Sequence, residues 1–191
     1  KSVRIQTVSN NLRRLNELNA LCRDLCRETP PIGESWWRLK QILKEPVYPP
    51  VVGYCAHGMV ASFFTLFWGG TWVDALLAFP CGLLVKLVVT AMRRAQINVF
   101  FTDMLACMLL ALGPEILRSL GCPIQADRII IGTIMLLVPG IAITNGMRDV
   151  LVGDFLTALT RFAEVIIVAL SIAVGVAAAI TVTRFFLGSP L

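Results

Sequence analysis

Long apolar runs separated by short polar breaks make up most of the chain, and the first fifty residues follow a different pattern. From position 50 onward, five apolar segments approach the length of about 20 residues that a membrane-spanning helix needs. Their approximate bounds are 50–68, 71–92, 99–120, 128–143 and 155–186. The pattern predicts an all-α membrane protein, a bundle of five transmembrane helices preceded by amphipathic cytoplasmic helices.

The fourth apolar segment is short because Pro139-Gly140 interrupts it. Proline removes a backbone donor and clashes with the preceding turn, and glycine relaxes the backbone. Polar residues then follow at Asn145, Arg148 and Asp149, where another stretch of membrane helix is expected. Irregular backbone at membrane depth persists only where protein or water satisfies its polar groups, and broken helices often form transporter substrate sites. A short loop between two ordinary spans is the alternative.

The first 49 residues have the pattern of a polar, helical segment. Leucines recur at steps of three and four residues, the stripe of an amphipathic helix, at Leu12, Leu15, Leu18, Leu21 and Leu25. Ser9 or Asn10 is a candidate N-cap, and Pro30-Pro31 ends the helix. A second short helix runs up to Pro46. Both helices lie either on the inner membrane surface or, as we favour, in a helical linker packed on a soluble domain.

Before the first helix, the alternation from Val3 to Val8 predicts a β-strand. A single strand is not stable alone, and the chain starts at Lys1 rather than at methionine, so we expect a soluble region to precede it. The sequence thus predicts two parts: the end of a soluble cytoplasmic domain with its linker over 1–49, and a five-span transmembrane domain over 50–191.

Composition and charge agree with a membrane protein. The chain has 57% hydrophobic and 15% charged residues, against about half and a quarter in soluble domains. Residues 1–49 contain nine of the 17 Lys and Arg residues, with no basic-aromatic patch that would favour nucleic acid. Positive-inside bias explains this charge and places Arg93-Arg94, and with it the N-terminus, on the cytoplasmic side of the membrane.

Cysteine and metal-ligand patterns contribute little. Cys22 and Cys26 share a helical face, but there is no second pair at zinc spacing, so we expect reduced thiols, no metal and no cofactor.

Several motifs of this sequence occur together in a known family. They are Phe67-Trp68-Gly69-Gly70 with Asp74, Gln96-Ile97-Asn98, and Leu137-Val138-Pro139-Gly140 followed by Thr144-Asn145-Gly146-Met147-Arg148-Asp149, Gly153-Asp154, Leu159, Arg161 and Glu164. With these motifs, the chain resembles the N-terminal membrane half of the threonine/serine exporter family from about Val3 to its end.

The resemblance implies a soluble N-terminal domain, five spans and a second membrane half that is either fused or a separate small subunit. This chain stops after five spans and resembles the larger subunit of the split type, whose relatives are regarded as succinate exporters; fused relatives export threonine and serine. It therefore implies a subunit of a secondary transporter, not an enzyme, that exports a small polar metabolite across the lipid bilayer and is driven by an ion gradient.

Residues around the break are the candidate substrate site: Asn145, Arg148 and Asp149, with Pro139 and Gly140. Asn145 and Asp149 are one helical turn apart and share a face. An amide, a carboxylate and a guanidinium suit the two ends of an amino acid or a dicarboxylate. The alternative is a cytoplasmic loop with a local Arg-Asp pair.

Four further residues are candidates for gating or proton coupling: His57, Asp103, Arg161 and Glu164. His57 titrates near neutral pH when unperturbed, although a histidine hydrogen-bonded between helices is commoner. Asp103 has no partner within one turn of its span and needs one from another helix or from water. Arg161 and Glu164, three residues apart, either gate a cavity or neutralise each other.

Other polar residues in or near the spans have structural interpretations. Asp154 is expected to cap the fifth span, and Lys86 to extend toward the inner interface. Asp74 and Glu115 are expected to be solvated or paired with Arg118 or Arg128. The small residues Ser171, Gly175 and Ala179 predict close packing against another helix, whose identity the sequence leaves open.

Two other functions compete with transport. A non-transporting membrane adaptor or assembly subunit would tolerate loss of Asn145, Arg148 and Asp149. An intramembrane aspartyl hydrolase would use Asp103 with Asp149 or Asp154, but paired aspartates at a recognisable spacing are lacking. Direct use of ATP is disfavoured because the sequence has no nucleotide-binding motif.

Overall fold

The computed structural model describes residues 12–28, 30–44 and 49–187, and the regular structure within them is entirely α-helical. The eight helices of this part fall into two compact units, Lys1–Pro49 and Pro50–Leu191. The predicted strand over 3–8 and the candidate caps Ser9 and Asn10 lie outside the described residues.

The first unit contains two helices, α1 (Leu12–Glu28) and α2 (Ile32–Lys44), which pack against each other. Leu21 of the predicted leucine stripe is buried. Arg14 Nη2 donates to the carbonyl oxygen of Leu43 at 3.0 Å and so joins the start of α1 to the end of α2. These contacts join the two helices into a helical hairpin.

The second unit contains six helices: α3 (Pro50–Phe67), α4 (Trp72–Arg94), α5 (Val99–Ser119), α6 (Ala126–Ile134), α7 (Gly140–Val152) and α8 (Phe155–Leu187). Three of them, α4, α5 and the Phe155–Phe186 part of α8, are long and apolar enough to cross a membrane. The apolar helix Val51–Phe67 is shorter. The predicted fourth span, 128–143, is not one helix, since it contains most of α6 and only the first four residues of α7.

The core of the second unit lies where α4, α5 and α6 meet α3 on one side and α8 on the other. One buried cluster consists of Val85, Cys107, Leu110, Ala111, Ile130 and Ala179. A second cluster consists of Ala61, Ala78 and Ile129. Helix α7 packs mainly against α8, so the α7–α8 hairpin is attached to the bundle through α8 and through the segment that joins α6 to α7.

Asp74 ties two connections of the bundle together. Its Oδ2 accepts hydrogen bonds from the backbone N–H and the hydroxyl of Thr71, each at 2.8 Å, in a capping box at the start of α4. Its Oδ1 accepts from the backbone N–H of Gln125, just before α6, at 3.0 Å. The expectation that Asp74 is solvated or paired with an arginine is wrong, because the carboxylate is fully buried and satisfied by these donors.

Two other charged residues, Glu115 and Arg128, lie at the same end of the bundle. Glu115 is buried and bonds Arg118 at 2.7 Å, as predicted. Arg128 Nη1 donates to the carbonyl oxygen of Trp68 at 2.6 Å and so links α6 to the α3–α4 turn. Polar contacts between the α3–α4 connection and the α5–α6 connection therefore hold this end of the bundle together.

Small residues bring the helix backbones together. A Cβ added at Gly175 of α8 would meet the carbonyl oxygen of Met104 and would lie 2.9 Å from Cys107 Cβ, both on α5. Ser171, Gly175 and Ala179 are all buried. The helix that their stripe contacts is therefore α5 of this chain, which answers the question that the sequence leaves open. A Cβ at Gly132 of α6 would collide in the same way with Thr65 of α3.

Candidate functional site

The predicted break at Pro139-Gly140 is present as an irregular segment between α6 and α7. Helix α6 ends at Ile134, and two tight turns follow, with the N–H of Leu136 bonded to Thr133 and that of Leu137 bonded to Ile134. Pro139 precedes α7 and has no N–H, and no side chain caps the first turn of α7. The first N–H groups of a helix lack partners within it. In the first turn of α7, the N–H of Gly140 bonds the carbonyl oxygen of Val138 and that of Ile143 bonds Pro139, so the donors left to a polar ligand are those of Ile141 and Ala142.

Side chains beside the break pack against the core of the bundle. Leu136 and Leu137 pack against the cluster that includes Val85 of α4 and Cys107 of α5, and Leu136 also packs against the cluster that includes Ala61 of α3. Pro139 is half-buried, whereas Gly140 is exposed, with open space around the position of a Cβ. The break thus has a packed side and an open side.

An ion pair joins α7 to α8 beyond the break. Arg161 Nε donates to Asp149 Oδ2 at 2.8 Å, and the side chains are 41% and 25% exposed. Close approach of the two helices permits this contact: Gly146 is buried, and a Cβ there would lie 3.3 Å from the Phe162 ring. The left-handed Gly153, with φ of 90°, reverses the chain between the helices.

This geometry corrects two expectations about local pairs. Asp149 pairs with Arg161 rather than with its neighbour Arg148, which is exposed. Arg161 and Glu164 do not neutralise each other, and the exposed Glu164 makes no ion pair within the described part of the chain. Asn145 is half-buried on the Asp149 side of α7. The structure thus brings Asp149 and Arg161 together, with Asn145 one helical turn before Asp149, and leaves Arg148 and Glu164 exposed.

Asp154 caps α8, as predicted. Its Oδ1 accepts the backbone N–H of Thr157 at 3.2 Å. Because this role occupies the carboxylate at the hairpin turn, Asp154 is set apart from the ion pair.

The hairpin extends past the end of α5. Gly175 and then Ala179 pack along α5 in the direction from Met104 to Leu110, so α5 and α8 run parallel. A helix rises about 1.5 Å per residue, which places Arg161 about 21 Å before Gly175, whereas α5 begins only about 8 Å before Met104. The Asp149–Arg161 pair therefore lies beyond the start of α5, at the end of the bundle that contains Arg94.

His57 and Asp103 lie apart from this pair. His57 Nδ1 is 2.7 Å from the carbonyl oxygen of Gly53 in the same helix, so Nδ1 carries a hydrogen and Nε2 is left for other partners. Asp103 is buried in α5, and the described residues offer it no ion pair. The partner from another helix or from water that we expect for Asp103 therefore stays a prediction.

A cavity of about 330 Å³ lies on another side of the bundle, between α4, α5 and α6. Its lining is apolar and includes two prolines inside helices, Pro80 and Pro114. With no charged side chain in its walls, this cavity is unsuited to a small polar metabolite.

Comparison with known proteins agrees with the motifs around the break. The family model of the threonine/serine exporters (ThrE) matches residues 1–183, nearly the whole chain. The chain belongs to the threonine/serine exporter family. The threonine/serine exporter of Corynebacterium glutamicum is 23% identical over 174 residues, which cover 88% of this chain and 36% of that protein. No solved structure matches the chain.

Membership of the threonine/serine exporter family and the three long apolar helices agree on a multi-pass membrane protein. The chain spans about a third of the length of the curated relative that it matches. The motif-rich segment that carries the resemblance, 137–164, is the segment that forms the break and the α7–α8 hairpin.

Proposed function

We propose that this chain is one membrane half, or the larger subunit, of a secondary exporter of small polar metabolites that contain a carboxylate. In this proposal the chain has five spans and lies in the inner membrane of a bacterium, with its N-terminus in the cytoplasm. Residues 1–49 link it to a soluble domain, and a second membrane half completes the transport path. The exported metabolite is threonine or serine, or a dicarboxylate such as succinate.

The observation that carries the proposal is the combination of a broken helix with an ion pair in the hairpin that follows it. The break leaves backbone donors at the start of α7, and the positive end of the α7 dipole favours an anionic group there. Asp149 and Arg161 offer one charge of each sign, 2.8 Å apart. An amino acid zwitterion presents the same two charges and can replace the ion pair by binding its ammonium to Asp149 and its carboxylate to Arg161.

The position of the pair suits uptake from the cytoplasm. Arg93 and Arg94 lie at the end of α4, at the end of the bundle beyond which the hairpin extends. Positive-inside bias makes that end cytoplasmic. The pair is partly exposed, so a metabolite can reach it from water without crossing the packed core. An exporter needs such an entry on this side.

Opening the pair is the proposed gating step. Arg161 holds α8 to α7 while it is bonded to Asp149, and a bound metabolite would exchange this contact for its own charges. Glu164, exposed on α8, and Asn145 and Arg148 of α7 complete the polar surface of the hairpin. His57 and Asp103, deeper in the bundle, are the proposed carriers of a coupling proton.

The test is efflux of labelled threonine and succinate from proteoliposomes that contain the full-length parent protein and its second half. Asp149→Asn removes the charge that would hold an ammonium, so we expect threonine efflux to fall about 10- to 100-fold, the effect of one charge-assisted hydrogen bond. Succinate has no ammonium, and its efflux should be maintained. The matched control is Asp127→Asn, an exposed aspartate in the first turn of α6.

Equal efflux in wild type and Asp149→Asn, for both compounds, would remove the ion pair from the mechanism. Flux that requires none of Asn145, Arg148 and Asp149 would favour the adaptor function. Stabilisation of the purified complex by threonine or succinate distinguishes a transporter from an adaptor, and a cleaved product would indicate a hydrolase.

A further inference from the structure

The α1–α2 hairpin has one polar side, where its charges pair with one another. Arg38 of α2 bonds Glu34 at 2.7 Å and lies 3.9 Å from Asp24 of α1, so these side chains share one side of the hairpin. Glu17 is two helical turns before Asp24 and pairs with Arg13 at 2.9 Å. We call this the ion-pair side.

The leucine stripe of α1 is used inside the hairpin. Leu21 is buried, and Leu18 and Leu25 are half-buried, as are Leu39 and Ile42 of α2, which packs against α1. Helix α2 therefore covers the stripe that the sequence offers to a soluble domain. Any further partner of the hairpin must bind one of its outer sides.

The side of α2 opposite the ion pairs is apolar and exposed. Ile32, Trp36 and Leu43 follow at intervals of four and seven residues, which places them on one stripe of the helix. They are 88%, 58% and 53% exposed. A helix turns about 100° per residue, so this stripe lies about 140° around α2 from Arg38. Large apolar side chains exposed in one row indicate an interaction surface, called the Trp36 stripe below.

Exposed lysines flank the Trp36 stripe. Lys40 is one turn after Trp36, and its Nζ lies 5.6 Å from the centre of the indole ring. Lys44 is one turn further, beside the exposed Trp37. Tryptophan rings sit at the headgroup level of a membrane, and lysine side chains extend from there to the phosphates. This composition is typical of a helix that lies in the membrane interface.

The charge balance of the hairpin also favours an anionic surface. Positions 12–44 contain seven Lys and Arg residues and four Asp and Glu residues. Because the carboxylates Glu17, Asp24 and Glu34 have partners on the ion-pair side, the positive excess is available elsewhere. The cytoplasmic leaflet of a membrane is negatively charged and attracts basic segments next to a span.

Chain connectivity keeps the Trp36 stripe close to the bilayer. Six Cα–Cα steps join Lys44 to Pro50, the first residue of α3, and they reach at most about 20 Å. In the proposed orientation α3 is the first span and starts at the cytoplasmic end. Such a short tether gives a membrane-binding face a high effective concentration at the inner surface.

We propose that the α1–α2 hairpin is a lipid-binding element. The Trp36 stripe inserts between the headgroups of the inner leaflet, and Lys40 and Lys44 bind the phosphates of anionic lipids. The inference goes beyond transport and rests on the proposed cytoplasmic position of the N-terminus. A soluble domain that covers the Trp36 stripe is the competing partner.

The test measures lipid contact on both sides of α2 in the full-length parent protein. Its native cysteines are replaced by alanine, and a nitrobenzoxadiazole fluorophore is attached to Leu43→Cys in the Trp36 stripe or to Gln41→Cys, an exposed position on the opposite side. Both positions are equally close to the first span along the chain, so Gln41→Cys is the matched control. The protein is reconstituted in phosphatidylcholine vesicles with and without phosphatidylglycerol, and brominated acyl chains serve as the quencher.

We expect the label at position 43 to emit at shorter wavelength and to be quenched by brominated lipid, and the label at position 41 to show neither effect. Phosphatidylglycerol should increase the quenching. Lys40→Gln with Lys44→Gln should weaken docking about 30-fold, at about fivefold per lysine, so that more phosphatidylglycerol is needed for half-maximal quenching. Arg38→Gln removes a positive charge from the ion-pair side and should leave the quenching unchanged.

Each other outcome overturns the inference. A label at position 43 that emits at shorter wavelength without quenching by brominated lipid is covered by protein, and the soluble domain is then the partner. Emission as in water shows that the stripe is free, and equal quenching at positions 41 and 43 shows that the stripe has no special contact with lipid. Quenching that does not respond to the lysine substitutions contradicts phosphate binding.

Efflux of threonine and succinate from the same vesicles separates this inference from the proposed function. Efflux without quenching at position 43 would overturn the lipid-binding element alone. Quenching at position 43 without efflux of either metabolite would support the lipid-binding element and contradict the proposed transport function.

Discussion

The contact of Gly175 with α5 predicts how tightly the longest helix is fixed to the bundle. In Gly175→Ala the new Cβ would lie 2.9 Å from Cys107 Cβ and 3.1 Å from the carbonyl carbon of Met104, where about 3.5 to 4 Å is normal. The backbone of Met104 cannot move aside because it is part of α5. The two helices must therefore separate by about 1 Å, and such overpacking costs about 1–3 kcal/mol.

Gly113→Ala is the matched control, since Gly113 is also inside a long apolar helix but has nothing within 4 Å of the added Cβ. Both variants gain the same helix propensity, up to about 1 kcal/mol, so the difference between them isolates the collision. At about 2–4 °C per kcal/mol, Gly175→Ala should unfold about 2–12 °C below Gly113→Ala. Thermal unfolding of the full-length protein in detergent measures this difference.

Equal melting temperatures for Gly175→Ala and Gly113→Ala would refute the reasoning, because they would show that α5 and α8 are not in close backbone contact at Gly175. If both variants melt at a lower temperature than wild type by the same amount, an added methyl group destabilises the long helices in general, and the effect is not specific to the contact between α5 and α8.

Three further predictions concern polar contacts and a turn. Asp74→Ala should destabilise the protein by about 1–3 kcal/mol, because it leaves the N–H groups of Thr71 and Gln125 without their shared acceptor; thermal unfolding against Asp127→Asn measures this. Reversal of either charge in the Asp149–Arg161 pair should lower stability, and the double reversal should restore it, with a coupling of only about 0.5–1 kcal/mol in a double-mutant cycle because the pair is partly exposed. Gly153→Ala should cost about 1 kcal/mol of unfolding free energy, because alanine disfavours a φ of 90°.

The features that the sequence predicts well are those with a local physical cause. The break at Pro139 follows from the missing N–H of proline, and the cap at Asp154 from a side chain beside the first N–H groups of α8. The pairing of Glu115 with Arg118 is likewise a contact within one helical turn. Each of these depends on residues a few positions apart, whose relative geometry a helix already defines.

The features that the sequence does not reveal depend on contacts between elements. Asp149 has Arg148 beside it, and only the reversal of the chain at Gly153 brings Arg161 closer. Asp74 has the pattern of an interface charge, yet the α5–α6 connection brings the N–H of Gln125 to it. A spacing rule cannot predict either contact, because each requires the packing of two helices to be known first.

In the proposed exporter, the polar groups of the α7–α8 hairpin lie along the direction in which the metabolite moves. The Asp149–Arg161 pair lies at the cytoplasmic end in the proposed orientation, where water reaches both side chains. The break lies further in, beside the buried cluster that contains Val85. The start of α7 is nine residues from Asp149, about 14 Å along the helix, so a carboxylate that leaves Arg161 cannot contact both groups at once. Water must therefore accompany the carboxylate between them, because a bare charge in the spans is costly.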